Sequence, residues 1–303
     1  MSVCKLCGRR AAVYLPYANL RLCRSHFEEY FVRRIRRTIE KYKMVRRGEK
    51  VLVAVSGGKD SVVLLSVLSR IAGDLGISLH GLTIDLGIHG YSDMYVSVAR
   101  EAYELAGVEY TILRLEDEYG FSIDEVAAQR RRVCAHCGLV KRYVFNRFAW
   151  EKGFDAIATG HNLDDLAAAA LSSIMRGDPE SAYRIKPVLP GGVKLVRRIR
   201  PLAFTREKDI KLYACLKSLP IVRGRCPHSR GETLSSFKRA INMLEDMHPS
   251  LKYSFARTLY ERLPGVVAGD YRLCARCGMP SSGDICGFCR LRERVLGGKG
   301  VER

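Results

Sequence analysis

Two sets of residues near the ends of the chain have the types and spacing of tetrahedral metal sites. In each set a pair separated by two residues is followed by another such pair, after 15 residues in the first set and after eight in the second. The first set comprises Cys4, Cys7, Cys23 and His26, and the second comprises Cys274, Cys277, Cys286 and Cys289. Thiolates and imidazole at such separations are typical of closed structural zinc sites. We therefore predict two Zn²⁺ ions, each holding a segment too short to form a core of its own.

A further CxxC pair, Cys134 and Cys137, lies in the basic stretch RRRVCAHCGLVKR and has no second pair close by to complete a site. The 11 cysteines of the chain then leave two others, Cys215 and Cys226. We expect Cys215 to be a buried apolar residue, because it lies in the helical pattern KLYACLKSL. The role of the other three thiols depends on what surrounds them.

A short glycine-containing stretch, SGGKDS at residues 56–61, has the composition of a phosphate-binding loop. Its glycines let the backbone turn sharply and direct N–H groups toward an anion, and its hydroxyl and ammonium groups add donors and charge. Asp60 would repel a phosphate group unless a Mg²⁺ ion lies between them. A plain turn without a ligand would leave these residue types unexplained. The loop consists of Ser56, Gly57, Gly58, Lys59, Asp60 and Ser61.

The segments around this loop alternate between strand and helix patterns. EKVLVAV precedes the loop as a buried strand, VVLLSVLSRIAG follows it as a helix, and further strands are predicted at ISLHGLTID, EYTILRL, FDAIATG and LVRRIRPL. Such alternation predicts an α/β fold with a doubly wound parallel sheet and helices on both faces. In such sheets a ligand binds beyond the carboxyl ends of the strands, which is where the loop lies. An amphipathic helix is also predicted over residues 27–43.

The charge of the chain indicates a polyanionic partner. There are 51 Lys and Arg residues against 32 Asp and Glu residues, for a formal net charge of +19. The basic residues recur in clusters at residues 33–37, 130–132 and 194–200. Solvated helix faces also carry such residues, but an excess of this size favours nucleic acid.

No stretch of the sequence has the pattern of a membrane segment. The longest apolar runs, such as VLVAV, are far shorter than the roughly 18 residues that a spanning helix needs, and the N-terminal residues lack the apolar core of a signal peptide. We therefore expect a cytoplasmic protein. The low content of labile amides, one Gln and four Asn, suggests a thermophilic source.

Taken together, these motifs resemble a known family. SGGKDS after a first strand is similar to the PP-loop of the adenylating ATP pyrophosphatase superfamily, which includes tRNA thiolases, lysidine synthase, asparagine synthetase and GMP synthetase. Within that superfamily, GHNLDD at residues 160–165, the mid-chain CxxC, Cys226 and the two terminal sets resemble the tRNA 2-thiouridine synthetase (TtuA) group over nearly the whole chain. The loop specifies only the superfamily, whereas the combination specifies the group.

The resemblance implies a set of site residues. The six loop residues would hold the phosphates of ATP and Mg²⁺, with Lys141 and Asp165 as catalytic residues. Asn162, Asp164 and Asp165 would alternatively serve only to cap the following helix. Further contacts to ATP are expected from Thr83 and Ile84 through the backbone, and from Asp85, Gly160 and His161.

The reaction implied by the resemblance needs both ATP and a source of sulfur. ATP converts the C2 oxygen of a uridine into an adenylate, and a sulfur nucleophile then expels AMP. Cys134, Cys137 and Cys226 are one ligand short of a closed zinc site, and three interpretations are open. They hold a 4Fe-4S cluster with one open iron position, or they act without metal through a persulfide and a resolving disulfide, or they bind a third zinc with His136 or His228. We favour the cluster, because an open position suits a catalytic metal.

The resemblance divides the chain into six parts. These are an N-terminal zinc finger (1–30), a linker helix (31–48), a PP-loop ATP pyrophosphatase catalytic domain (49–225), a helical extension (226–268), a C-terminal zinc finger (269–295) and a tail (296–303).

The implied activity is that of a tRNA sulfurtransferase giving 2-thiouridine, with the T-loop uridine as the expected target. The alternatives are a wobble-uridine or 2-cytidine thiolase with the same adenylation chemistry, and a non-catalytic zinc-stabilised RNA-binding protein, which would leave SGGKDS and GHNLDD unused. The implied partners are tRNA, a ubiquitin-like sulfur carrier with a C-terminal thiocarboxylate, and a second copy of the chain in a homodimer. The sequence alone does not decide the tRNA position, the sulfur donor or the oligomeric state.

Overall fold

The structure is a computed structural model of the chain. It describes residues 2–129, 132–178, 181–182, 185–229, 233–262 and 271–298. Most of the basic cluster at residues 130–132 and the end of the predicted tail therefore lie outside the described residues. A six-stranded sheet flanked by helices forms the centre of the molecule, and a two-stranded hairpin lies in each terminal segment.

The bounds of the elements are as follows. The strands are β1 (Val13–Leu15), β2 (Leu20–Leu22), β3 (Lys50–Ala54), β4 (Ser78–Asp85), β5 (Tyr110–Arg114), β6 (Ala156–Ala158), β7 (Val188–Leu189), β8 (Arg197–Ile199), β9 (Arg272–Leu273) and β10 (Pro280–Ser281). The described helices are α1 (Arg24–Lys41), α2 (Lys59–Leu75), α3 (Ser92–Ala106), α4 (Leu115–Tyr119), α5 (Ile123–Gln129), α6 (Val133–Glu151), α7 (Leu163–Met175), α8 (Glu207–Leu216), α9 (Thr233–Met247), α10 (Leu251–Arg262) and α11 (Gly287–Gly298).

The central sheet has the strand order β5-β4-β3-β6-β8-β7. Its neighbouring strands are parallel except for β7, which runs antiparallel to β8 at the edge. Alternate residues of β3 point to opposite faces: Val51 and Val53 join the apolar cluster that includes α1 and α2, and Leu52 packs with Ala149 of α6. The predicted α/β doubly wound fold is therefore confirmed, and the loop SGGKDS follows the central strand.

The helix α1 is part of the main core. Its residues Phe27, Phe31, Ile35 and Ile39 are buried in the same cluster as β3 and α2. The helix predicted over residues 27–43 is thus observed three residues earlier at its start. Its apolar face covers the sheet domain, while Arg33 and Arg37 are exposed. None of the helices described in the structure is long and apolar enough to cross a bilayer.

The C-terminal segment packs against the helix that carries the mid-chain CxxC. Cys274 and Cys286 share an apolar cluster with Val140 of α6. The ring of Phe288 stacks on Tyr143 of α6, with 3.8 Å between ring centroids and 4° between ring planes. The segment that carries the second set of candidate metal ligands therefore packs against α6.

Several details differ from the sequence-based expectation. The prediction that Cys215 is buried is wrong, because α8 turns Tyr213 and Ala214 into the core and the next residue points about 100° away from Ala214. The strand predicted in LVRRIRPL is shorter than expected, at Arg197–Ile199. The edge strand β7 and the short helices α4 and α5 were not predicted.

Candidate active site

The loop SGGKDS folds back on itself at the carboxyl end of β3. The hydroxyl of Ser61 donates to the carbonyl of Gly58 at 2.9 Å and accepts from the backbone N–H of Ser56 at 3.1 Å. Gly58 is the N-cap of α2, and no side chain caps the helix there. The first N–H groups of α2 are therefore left for an anion, and the helix dipole favours one at this end.

Two glycines allow close backbone approach around the loop. Gly57 has a φ of +69°, and a Cβ there would lie 2.8 Å from the carbonyl oxygen of Tyr95 and 2.9 Å from Val222. A Cβ on Gly160 would lie 2.9 Å from the backbone of Asp60. Both positions therefore require glycine, and Gly160 brings the end of β6 against the loop.

Ammonium and carboxylate groups alternate across the site. Lys59 Nζ lies 2.8 Å from Asp60 Oδ2 and 3.0 Å from Glu207 Oε1. Lys238 Nζ of α9 lies 2.6 Å from Glu207 Oε2 and 2.7 Å from Asp165 Oδ1. Glu207 is thus shared by the two lysines, and it links the loop to Asp165.

The pKa values of these groups reflect the pairing. Partial burial opposes the ionisation of Glu207, but Lys238 and Lys59 outweigh it and lower the pKa of Glu207 to about 2. Burial also opposes charge on Lys238, yet Asp165 and Glu207 raise its pKa above the ordinary value. Glu207 and Lys238 are therefore both charged near neutral pH.

The stretch GHNLDD caps α7 and contacts the loop. Asn162 accepts from the backbone N–H of Asp165 at 3.0 Å, and Asp165 Oδ2 accepts from the backbone N–H of Asn162 at 3.3 Å, which forms a capping box. Asn162 Nδ2 also donates to Asp60 Oδ1 at 2.9 Å. The capping role considered from the sequence is present, and Asp165 still has its other oxygen directed toward Lys238.

His161 lies beside a group of arginines. Reduced hydration of its ring, together with the charges of Arg200 and Arg198, lowers the pKa of His161 to about 4. Its side chain remains accessible, and Nδ1 lies 3.0 Å from Thr159 Oγ1. The imidazole is therefore neutral near neutral pH, where it can donate or accept a hydrogen bond.

The three residues at the end of β4 that were predicted to contact ATP differ in their burial and in their hydrogen bonds. Thr83 is fully buried, and its hydroxyl bonds to the carbonyl of Val55 at 3.0 Å and to Tyr103 at 2.9 Å. Ile84 is also buried, and its carbonyl accepts from the hydroxyl of Tyr95 at 2.9 Å. Asp85 accepts from the backbone N–H of Gly87 at 3.0 Å.

A buried ion pair fixes the start of α8 behind this site. Lys252 Nζ of α10 lies 2.7 Å from Asp164 Oδ1, and both side chains are 3% exposed. The other oxygen of Asp164 accepts from the backbone N–H of Glu207 at 2.8 Å. Lys252 also reaches Asn242 Oδ1 at 2.6 Å. The pair therefore joins α7, α8, α9 and α10.

We expect Lys252→Met to lower the free energy of unfolding by about 3–5 kcal/mol, because the change leaves a buried carboxylate without its counter-ion. Urea unfolding followed by circular dichroism measures the effect. Lys208→Met is the control, since Lys208 and Asp246 form a pair that is 71% and 65% exposed. If Lys252→Met lowers the free energy of unfolding no more than Lys208→Met does, the stabilising role of the Lys252–Asp164 pair is contradicted.

One segment of the chain links the mid-chain thiols to the loop. Cys134 and Cys137 are in the first turns of α6, and Cys226 is in the segment 222–229. The backbone N–H of Val222 donates to the carbonyl of Gly57 at 3.0 Å, and Cys134 Sγ donates to the carbonyl of His228 at 3.2 Å. A single eight-residue segment therefore connects the phosphate loop to the thiols.

The environment of Cys137 links it to the other predicted residues. Burial raises the pKa of the Cys137 thiol, Lys141 opposes this rise, and the neighbouring Cys226 adds to it. In the described parts of the chain, the sulfur atoms of Cys134, Cys137 and Cys226 are not among the sets whose ligand atoms all lie within 4.8 Å of one another. The three thiols are thus neighbours whose sulfur atoms lack the spacing of a closed site.

The two histidines near these thiols have other partners. His228 Nε2 lies 2.6 Å from Asp124 Oδ1, and His136 Nδ1 lies 2.9 Å from the carbonyl of Arg132. Asp124 also accepts from the backbone N–H of His89 at 2.8 Å. Neither histidine joins the three thiols as a metal-binding set in the described residues.

Both terminal sets of ligands are assembled. The ligand atoms of each set all lie within 4.8 Å of one another. Cys7 Sγ and Cys23 Sγ are 3.8 Å apart, and Cys277 Sγ and Cys286 Sγ are 3.7 Å apart. These distances suit thiolates around one tetrahedral ion, for which zinc–sulfur bonds of about 2.3 Å are expected. The donor sets therefore fit Zn²⁺.

Sequence reasoning missed Glu207, Lys238 and Lys252. Glu207 starts a helix without any motif, and the two lysines lie in the ordinary amphipathic patterns of α9 and α10. They reach the site only through tertiary packing, so no local signal marks them.

The sheet and the loop at its centre define a class of protein, the PP-loop domains. Residues 27–222 match the family model described as "PP-loop domain". Residues 3–28 match a model described as "2-thiouridine synthetase TtuA, N-terminal LIM domain".

Relatives in other organisms narrow the class. The chain is 40% identical to the tRNA-5-methyluridine(54) 2-sulfurtransferase of Pyrococcus horikoshii, over 95% of this chain and 93% of that protein. It is 39% identical to the enzyme of the same name from Thermus thermophilus, over 97% and 92%. The solved structure of the U34-tRNA thiolase NcsA from Methanococcus maripaludis with its [4Fe-4S] cluster matches 97% of this chain and 96% of that chain, with a TM-score of 0.84 and 29% identity. The chain belongs to this family of tRNA 2-thiolation enzymes, and the resemblance stated from its sequence is confirmed.

Proposed function

We propose that this protein is an ATP-dependent tRNA sulfurtransferase that converts a uridine to 2-thiouridine. The observation that carries the proposal is the segment 222–229, which bonds to the phosphate loop at Gly57 and to the thiol of Cys134 through His228. These two contacts support the proposal of a site for adenylation close to a group of thiols. The names of the Pyrococcus and Thermus relatives support the T-loop 5-methyluridine as the target.

In the proposed first step the C2 oxygen of the uridine attacks the α-phosphorus of ATP, and pyrophosphate leaves. The N–H groups at the start of α2, with Lys59 and Ser61, would bind the phosphate oxygens. Gly57 and Gly160 let the neighbouring backbone pack closely against this loop. Bound Mg²⁺ would offset the charge of Asp60 and of the phosphates. Asp165, held by Lys238, would orient the reacting base.

In the proposed second step a sulfur nucleophile attacks C2, the C2–O bond breaks, and AMP leaves. Cys134, Cys137 and Cys226 fit a 4Fe-4S cluster by their chemistry, because they are three soft ligands and the two nearby histidines have other partners. When bound, such a cluster supplies an iron position without a protein ligand for the sulfur. Lys141, beside Cys137, would provide positive charge for the incoming anionic sulfur.

The terminal segments have a supporting role in this proposal. We propose that residues 1–30 and 269–295 are zinc-stabilised fingers around the PP-loop domain, each holding one Zn²⁺. The contact of Phe288 with Tyr143 supports this role, because it links the second finger to the helix of Cys134 and Cys137. We also propose a ubiquitin-like thiocarboxylate protein as sulfur donor, on the resemblance alone.

A homodimer is the oligomeric state that we propose. The helix α9 exposes Met243 and Met247, at 67% and 63%, and Met175 of α7 is 70% exposed. These side chains would be available to a second copy of the chain. Light scattering of the purified protein would measure the mass, and a monomer at micromolar concentration would exclude the dimer.

The experiment that tests the function is release of pyrophosphate when unmodified tRNA and ATP are added together. The adenylation proposal requires release that depends on tRNA. Binding of tRNA without any release would favour the non-catalytic RNA-binding protein instead.

We expect the affinity for tRNA to fall about 10²- to 10³-fold between 50 mM and 200 mM salt, because arginines and lysines that contact phosphates release counterions. Two arginines are available for such contacts, because neither Arg142 nor Arg198 has a carboxylate partner among the residues that the structure describes. The charges of both lower the pKa of His161, so both lie near it. Arg198→Gln should reduce the salt slope by about one. Filter binding over a salt series measures both. An affinity independent of salt would contradict this interpretation of the basic residues.

A further inference from the structure

The ammonium of Lys59, the lysine of the phosphate loop, already has two carboxylate partners. It lies 2.8 Å from Asp60 and 3.0 Å from Glu207, and its side chain is 24% exposed. A phosphate group that binds Lys59 must therefore compete with these carboxylates. Asp60 is adjacent in sequence and cannot move far from the loop, whereas Glu207 belongs to α8.

Glu207 is held in this place independently of Lys59. Its backbone N–H donates to Asp164, and Asp164 is bound by the buried Lys252. The start of α8 is thus fixed by an ion pair behind the site, and only the side chain of Glu207 is free to change partner. The fold therefore positions the Glu207 carboxylate next to Lys59 without help from Lys59 itself.

If Glu207 were displaced from Lys59, the Glu207 carboxylate would still have two other lysines as counter-ions. Lys238 lies 2.6 Å from its second oxygen, and the exposed Lys211 lies 3.3 Å from the first. Lys238 Nζ also lies 2.7 Å from Asp165 Oδ1. A shift of the Glu207 side chain therefore changes the contacts of Lys238, and through Lys238 it affects the position of Asp165. The energetic cost of releasing Lys59 is reduced because the carboxylate keeps a counter-ion.

We propose that Glu207 and Lys238 are positioning residues of the adenylation site: Glu207 occupies Lys59 until the phosphates of ATP displace it, and Lys238 then holds Glu207 together with Asp165. This proposal rests on the proposed function, in which Lys59 binds ATP. Occupation of Lys59 keeps the loop ordered without nucleotide, and Lys238 ties the exchange of partners to the alignment of Asp165.

The proposal predicts opposite effects of two substitutions on ATP binding. Glu207→Gln removes the competitor of phosphate, so the Kd for ATP should fall about fivefold, while the rate of pyrophosphate release should fall about tenfold because Lys238 loses a partner. Lys238→Met leaves Glu207 with fewer cations and strengthens its hold on Lys59, so the Kd should rise about fivefold and the rate should fall about tenfold. Lys238→Arg retains the charge and should restore most of the rate.

Isothermal titration with MgATP measures the Kd, and tRNA-dependent pyrophosphate release at saturating substrates measures the rate. Asp246→Asn is the matched control for Glu207→Gln, because Asp246 and Lys208 form an exposed pair of 2.9 Å between the same two helices, α8 and α9. It should change neither quantity. Thermal unfolding of each variant shows that it is folded.

The outcomes separate this proposal from the proposed function. A wild-type protein that neither binds ATP nor releases pyrophosphate would refute the function itself. Wild-type activity with an unchanged or raised Kd in Glu207→Gln would refute the role of Glu207. A Kd that falls in Lys238→Met, or a full rate in that variant, would refute the role of Lys238.

Discussion

Single changes of Cys134, Cys137 or Cys226 to alanine are expected to abolish thiolation, with losses of at least about 10²-fold. Each would remove one of the three thiols that neighbour the phosphate loop, so the variants should lose the brown colour of a 4Fe-4S cluster together with the activity. Iron and sulfide analysis of anaerobically purified protein, with thiolation assayed in parallel, measures both. Binding of ATP and about two zinc ions per chain should be retained, because neither the loop nor the terminal ligand sets include these thiols.

Cys215→Ala is the matched control, since Cys215 is an exposed thiol of α8. It should keep both cluster and activity. A protein that stays colourless after anaerobic reconstitution and still thiolates tRNA would exclude the cluster and leave the persulfide route. Three zinc ions per chain in a fully active enzyme would make the mid-chain pair structural.

Lys59→Ala and Asp60→Ala should each lower tRNA-dependent pyrophosphate release by about 10²- to 10³-fold, because they remove the ammonium that we propose binds phosphate and the carboxylate that we propose faces Mg²⁺. The structure gives both residues several roles, since Asp60 also accepts from Asn162 at 2.9 Å. The zinc content and the cluster should stay unchanged. Release at the wild-type rate in either variant would refute the phosphate-loop assignment.

The parts of the site that were predictable are those specified by local sequence. SGGKDS is a strand-to-helix turn whose glycines and hydroxyls bond within five residues, and the terminal metal sets lie in short loops. Their geometry follows from the backbone nearby, so spacing is enough to identify them.

The remaining parts depend on packing between distant segments. Glu207 and Lys238 reach Lys59 and Asp165 across 148 and 73 residues respectively, measured as differences in residue number. A buried lysine such as Lys252 is unusual for its type, and nothing in SLKYSF distinguishes it from an exposed one. The exposure of Cys215 was missed because the pattern KLYACLKSL shows that one face of the helix is apolar but does not show where that face ends. Cys215 lies just outside it.

The most direct test of the account is mass spectrometry of nucleosides from unmodified tRNA treated anaerobically with the protein, MgATP and sulfide. We expect a uridine derivative in which sulfur replaces one oxygen, formed only when ATP is present, and nuclease mapping should place it in the T loop. Absence of any thiolated nucleoside, from protein that has its cluster and binds both ATP and tRNA, would contradict it.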